Sequence, residues 1–136
     1  MLTEDYLEGV WKEESDITFD LVGKPSALEL VGDVKCDSKS FCTFSNYKMR
    51  SSLTGNKWKS MPLPQKMADP FHYSVNGLSV SMTVLGKTYN GIYDGLNRIV
   101  WPPMKYLPNG STWTKQGKID VITYYFSNGK IKRNSL

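Results

Sequence analysis

Between Gly86 and Gln116 the chain reads GKTYNGIYDGLNRIVWPPMKYLPNGSTWTKQ. Short aromatic and β-branched runs are each cut off by Asn-Gly, Asp-Gly or Pro-Pro. Runs this brief cannot propagate a helix, and Asn-Gly and Asp-Gly favour tight hairpin turns because those turns need positive φ. Trp101 and Trp113 each sit on one of these runs. The stretch therefore restricts the chain to a turn-rich, all-β fold.

The same period-two pattern runs through most of the chain. Ile17, Phe19 and Leu21 alternate with polar residues on a first strand, and Gly23-Lys24-Pro25 breaks it. Ala27 to Val31 reads as a strand, Gly32-Asp33 as a turn and Val34-Lys35-Cys36 as a return to extended chain. From Phe41 to Met49 the alternation places Phe41, Thr43, Ser45 and Tyr47 on one face and Cys42, Phe44 and Asn46 on the other. Phe71 to Leu85 reads as a hairpin about a type I′ turn at Asn76-Gly77. A last hairpin is expected over 119–132, and Thr3 caps a short helical turn over Glu4 to Leu7.

Residues 51–70 interrupt the pattern. Pro62, Pro64 and Pro70 lack the N–H that a central strand must donate, so this is an irregular connection suited to a lid, an edge cover or a binding loop. Nine to eleven strands at intervals of about ten residues fit one antiparallel meander barrel over 1–136, with a β-sandwich as the alternative. A barrel is preferred because it leaves no strand edge exposed.

Charge is distributed unevenly. Residues 1–33 carry nine acids against Lys12 and Lys24, whereas residues 34–136 carry four acids against fifteen lysines and arginines. Either an anionic partner is bound, or the acidic early strands lie beside basic later ones. No run approaches the roughly 18 apolar residues of a membrane span. The acidic start, MLTEDYLEGV, is unlike a signal peptide, which makes a soluble, cytoplasmic protein with reduced thiols the expectation. A tight turn between Cys36 and Cys42 would nevertheless bring them within disulfide range. Neither cysteine pairs with His72 at metal-ligand spacing.

No nucleophile elbow, phosphate-binding loop or dinucleotide fingerprint occurs. His72 lacks triad context, and nothing in the spacing selects a carboxylate pair from the acidic segment or from Asp94 and Asp120. No motif calls for a cofactor or a metal. Asn109-Gly110-Ser111 is a glycosylation acceptor sequence, of consequence only in a secreted chain.

Two resemblances add to this reading. Gly9-Val10-Trp11 is similar to the GxW that opens the first strand in calycins, the lipocalins and fatty-acid-binding proteins; the resemblance implies that Trp11 closes the bottom of a barrel. A larger set resembles a tryptophan-signature β-repeat of marine protist proteins: Gly9, Trp11, Gly86, Lys87, Tyr89, Gly91, Ile99, Trp101, Asn109, Gly110, Trp113 and Lys115. That second resemblance implies a fold and carries no activity.

The expected function is a non-catalytic binding module. Its partner is a small apolar or aromatic ligand inside the barrel, lined by Tyr73, Met82, Tyr89 and Trp101, or a protein on its surface, with the loop at 60–70 bordering the site. The second expectation is a single-stranded nucleic-acid binder using Lys57, Trp58, Lys59, Trp113 and Lys115. A small enzyme is the third.

Overall fold

The computed structural model describes residues 4–117, which form one closed antiparallel barrel of eight strands with a ninth strand added outside it. A helical turn α1 (Glu4–Leu7) precedes β1 (Gly9–Leu21), β2 (Lys24–Cys36), β3 (Phe41–Ser51), β4 (Lys59–Ser60), β5 (Phe71–Asn76), β6 (Ser79–Val84), β7 (Lys87–Tyr93), β8 (Arg98–Trp101) and β9 (Ser111–Lys115). Apart from β4, each strand pairs with its neighbours in sequence. The barrel closes where β1 meets β9, with Trp11 opposite Lys115 and Glu14 opposite Thr112. The hairpin predicted over 119–132 lies outside the described residues, as do Thr3 and Asp120. No helix of the described residues is long and apolar enough to cross a membrane.

Alternation decides what enters the barrel. Trp11, Glu13 and Ser15 of β1 face inward, as do Leu30, Gly32, Val34 and Cys36 of β2, while Lys12, Glu14 and Asp16 face solvent. Three indoles, of Trp11, Trp101 and Trp113, are at most 2% exposed. Trp113 is the hub, with ring centroids 4.8 Å from Trp101 and 6.4 Å from both Trp11 and Phe71. Tilted and edge-on pairs at these distances add to the burial energy of the rings. At one end, Leu7 of α1 is buried and accepts a hydrogen bond from Trp11 Nε1 at 2.8 Å. Lys115 Nζ lies over the Tyr6 and Trp11 rings and donates to the carbonyls of Tyr6 and Glu8.

The structure corrects four local expectations. Gly32-Asp33 is not a turn, because β2 continues through it to Cys36. The face assignment of β3 changes at Asn46, whose φ of 54° accompanies a shift of register against β2 between Val31 and Asp33. The extra residue of this bulge turns Tyr47 inward beside Cys42 and Phe44. The Phe71–Leu85 hairpin pairs Asn76 with Ser79, so its central residues are Gly77 and Leu78, and only Gly77 has positive φ. That is the II′ pattern, not I′. Finally, Cys36 and Cys42 face each other across β2 and β3 and form a disulfide; a cross-strand pair brings side chains close enough to join where the spacing alone left the thiols reduced.

Residues 52–70 act as an edge cover. β3 pairs with β5 only at Phe41 and Cys42. Along the remainder of β3, β4 pairs with Lys48 and Met49, and Met61 N donates to Tyr47 O. Met61, Leu63 and Met67 of this segment pack against the core.

The β1–β2 hairpin turns at Val22 and Gly23, both with positive φ, and Val22 is 95% exposed. A β-branched residue in the left-handed region is strained. Val22→Asn should therefore raise stability in urea unfolding by about 1 kcal/mol. Equal or lower stability would show that the turn carries no such strain.

Candidate functional site

Among the described residues, the barrel interior contains one buried acid. Glu13 is 3% exposed and accepts three hydrogen bonds: from Tyr47 Oη at 2.5 Å on Oε1, and from Ser111 Oγ at 2.9 Å and Trp113 Nε1 at 2.8 Å on Oε2. A carboxylate out of water is tolerated only when its lone pairs are so met. Gly32 makes the arrangement possible. It is the residue of β2 opposite Glu13, and a Cβ on it would lie 2.4 Å from the Tyr47 ring. The ring thus passes over Gly32 to carry the phenol from β3 across β2 to β1. Gly91 likewise leaves room for the Trp101 ring. Burial, and then the charge of Glu13, push the Tyr47 phenol above its ordinary value of 10.0.

Tyr73, Met82 and Tyr89 form a cross-strand row on β5, β6 and β7. Tyr73 and Met82 are buried, Tyr89 is half-buried, and Tyr73 Oη donates to Asp37 O at 3.0 Å. Tyr73, Met82 and Trp101 belong to one buried cluster against which Tyr89 packs, and the Trp101 ring lies over Gly91. Trp101 Nε1 is the one buried side-chain nitrogen or oxygen without a hydrogen-bond partner among the described residues.

The grooves are on the outer wall. One, of about 550 Å³, runs over β8, β9, β1 and β2 and is lined by Lys12, Glu14, Glu29, Arg50, Trp58 and Arg98, among others, with Trp101 at its floor side. A second, of about 950 Å³, lies over β2 and β3 beside the edge cover and is lined by Val31, Asp33, Asn46, Lys48, Trp58 and Met61, among others. Trp58, Lys12 and Val31 belong to both. Trp58 is 41% exposed, and the Arg50 guanidinium sits 4.6 Å from its ring centroid. Arg50 is fixed in turn by Glu29, its Nε donating to Oε2 at 2.7 Å. Such a stack holds an exposed indole in one orientation.

The five residues of the nucleic-acid expectation are divided by the fold. Lys57, Trp58 and Lys59 are exposed beside the grooves, Trp113 is buried on Glu13, and Lys115 is drawn to the helical turn. His72 is exposed on β5 with its ring against Phe41. Asp94 accepts from the backbone N–H groups of Leu96, Asn97 and Arg98, which makes it a turn residue. Among the described residues no three His, Cys, Asp or Glu side chains are grouped to hold a metal ion. Compared with family models, curated proteins and solved structures, the chain gives no match.

Glu13, Asp33, Asn46 and Arg50 were not singled out from the sequence. Strict alternation from Trp11 would have brought Glu13 inside; the bulge that places Asn46 has no such signal.

Two outcomes follow from the buried acid. Glu13→Leu strands three donors and should cost about 3 kcal/mol or more, whereas Glu13→Gln keeps an oxygen for Ser111 and Trp113 and should cost about 1 kcal/mol. Urea unfolding measures both, and equal losses would contradict the network. The raised Tyr47 value also fixes a pH window. The folded chain keeps this proton where the unfolded chain releases it, so the stability is whole below about pH 10 and falls as pH rises further, by about 1.4 kcal/mol per pH unit for one proton. Tyr47→Phe should flatten that slope, read from unfolding free energies on either side of pH 10; an unchanged slope would be contrary.

Proposed function

We propose that this protein is a non-catalytic binding module whose binding surface is the outer wall around Trp58, not the barrel interior. The observation that carries the reading is that two grooves of the wall, of about 550 and 950 Å³, converge on one exposed, braced tryptophan, while the residues expected to line an interior pocket are packed in or against the core. An eight-stranded barrel has an interior that either side chains fill or one small ligand occupies, and here three indoles are packed into it. A preformed groove with an ordered aromatic side chain needs little rearrangement to bind.

Nucleic acid is the weaker reading. The first groove sets Glu14, Asp16 and Glu29 against Lys12, Arg50 and Arg98, and a polyanion gains little from a balanced surface. The uneven charge of the sequence is matched by strand adjacency, as in the Arg50–Glu29 pair of β3 and β2. The calycin-like reading of the fold is supported by the sequential strand order and by Lys115 over Trp11, at the end that α1 closes. The Cys36–Cys42 disulfide supports an oxidising compartment over the cytoplasm.

The test compares the native chain with Trp58→Ala in thermal-shift screens of peptides, glycans and small apolar compounds, with N-phenyl-1-naphthylamine as an interior probe. Ligands whose stabilisation disappears in Trp58→Ala are expected. Saturable one-to-one binding of the naphthylamine, unchanged in that variant, would establish an interior site and refute the reading.

A further inference from the structure

Two adjacent features of the second groove have no role in holding the barrel together. The first is the side of Trp58 that this groove shares. Arg50 lines the first groove but not the second, so the guanidinium leaves the indole open toward the second. The other feature is a planar polar pair. Asn46 Nδ2 donates to Asp33 Oδ2 at 3.0 Å, and both side chains line the groove. This pair exists because of the bulge: Asn46 occupies the left-handed region at φ 54° on an exposed position of β3, next to Ser45, which pairs with Asp33 of β2. Asparagine takes this conformation readily, so the bulge is held there without strain.

The pair leaves Asp33 Oδ1, Asn46 Oδ1 and the second Asn46 N–H directed at no protein group among the described residues. Two acceptors and a donor side by side match adjacent hydroxyls, each of which both donates and accepts. A flat aromatic face matches the C–H-lined face of a pyranose ring. Ser45 and Ser60 add hydroxyls, and Met61, Pro62 and Leu63 an apolar border. The charges in the groove, Lys12 and Lys48 against Asp33, are too few and too mixed for a polyanion. We propose that this groove is a binding site for a neutral oligosaccharide, one ring stacked on Trp58 and the hydroxyls of a neighbouring ring bonded to Asp33 and Asn46. The proposal rests on the outer-wall reading and specifies its ligand.

The experiment applies the full chain, disulfide intact, to an immobilised panel of neutral oligosaccharides, with sulfated glycans and single-stranded DNA as comparators, at about 0.1 M and about 1 M NaCl. Retention on neutral members at both salt concentrations is expected, weakened roughly tenfold or more by Trp58→Ala and by Asp33→Ala. Asn46→Gly, which accepts the same backbone conformation, should weaken it too while leaving the melting temperature nearly unchanged. Retention only on sulfated glycans or DNA, lost at high salt, overturns the sugar assignment; if Trp58→Ala still abolishes it, the outer-wall reading stands. Neutral-glycan binding untouched by Trp58→Ala overturns both, and no retention on any neutral member overturns the sugar assignment alone.

Discussion

The carboxylate of Glu13 is the interaction on which the barrel depends. It ties together three strands that are far apart in sequence: β1, where it sits, β3 through Tyr47, and β9 through Ser111 and Trp113. Two of its three hydrogen bonds span the seam where β1 and β9 close the ring. A closed barrel must fix the register of that seam, since a slip of one residue would turn every side chain of a strand to the opposite face. An apolar residue at position 13 would fill space but would accept any register. The acid accepts only one, because in another its lone pairs and the three donors would lie buried and unmet.

The aromatic packing follows from that register. Trp113 donates to Glu13 and so has its ring plane set by a hydrogen bond; Trp11, Trp101 and Phe71 then arrange around it. The tight spacing is bought by two glycines, Gly32 under Tyr47 and Gly91 under Trp101. On the outer wall, the edge cover of residues 52–70 stands against β3 and borders a groove there.

Much of the fold was legible in the sequence because it is written in local codes. Period-two alternation and turn dipeptides identified an all-β meander, the N-terminal turn at Glu4–Leu7, and the irregular nature of 51–70. What was missed depends on contacts between strands. The Asn46 bulge has no dipeptide signature, so Tyr47 was assigned to the wrong face. Gly32 looked like a turn because glycine beside aspartate usually is one, yet its purpose is to admit the Tyr47 ring. Asn76-Gly77 named the hairpin correctly but not its register, since Asn76 closes the ladder instead of entering the turn.

The same distinction explains the displacement of the candidate site. Large aromatic and sulfur side chains at inward positions, such as Tyr73 and Met82, have the composition of both a core and an apolar pocket, and only their packing separates the two. The sequence groups Trp58 with Trp113 and Lys115 as a nucleic-acid surface, but alternation on β9 sends those two inward while Trp58 stays exposed. Its ring meets Arg50 of β3, and the grooves it lines are shared with Glu29 and Asp33 of β2 and Asn46 of β3. A groove of this kind needs a closed barrel, a bulge and a proline-rich segment in one place, and each is there for a separate physical reason: satisfaction of edges, relief of register and the absence of an N–H. The acid that sets the barrel's register thus also sets, through Tyr47 on β3, the strand from which Asn46 and Arg50 reach the outer wall.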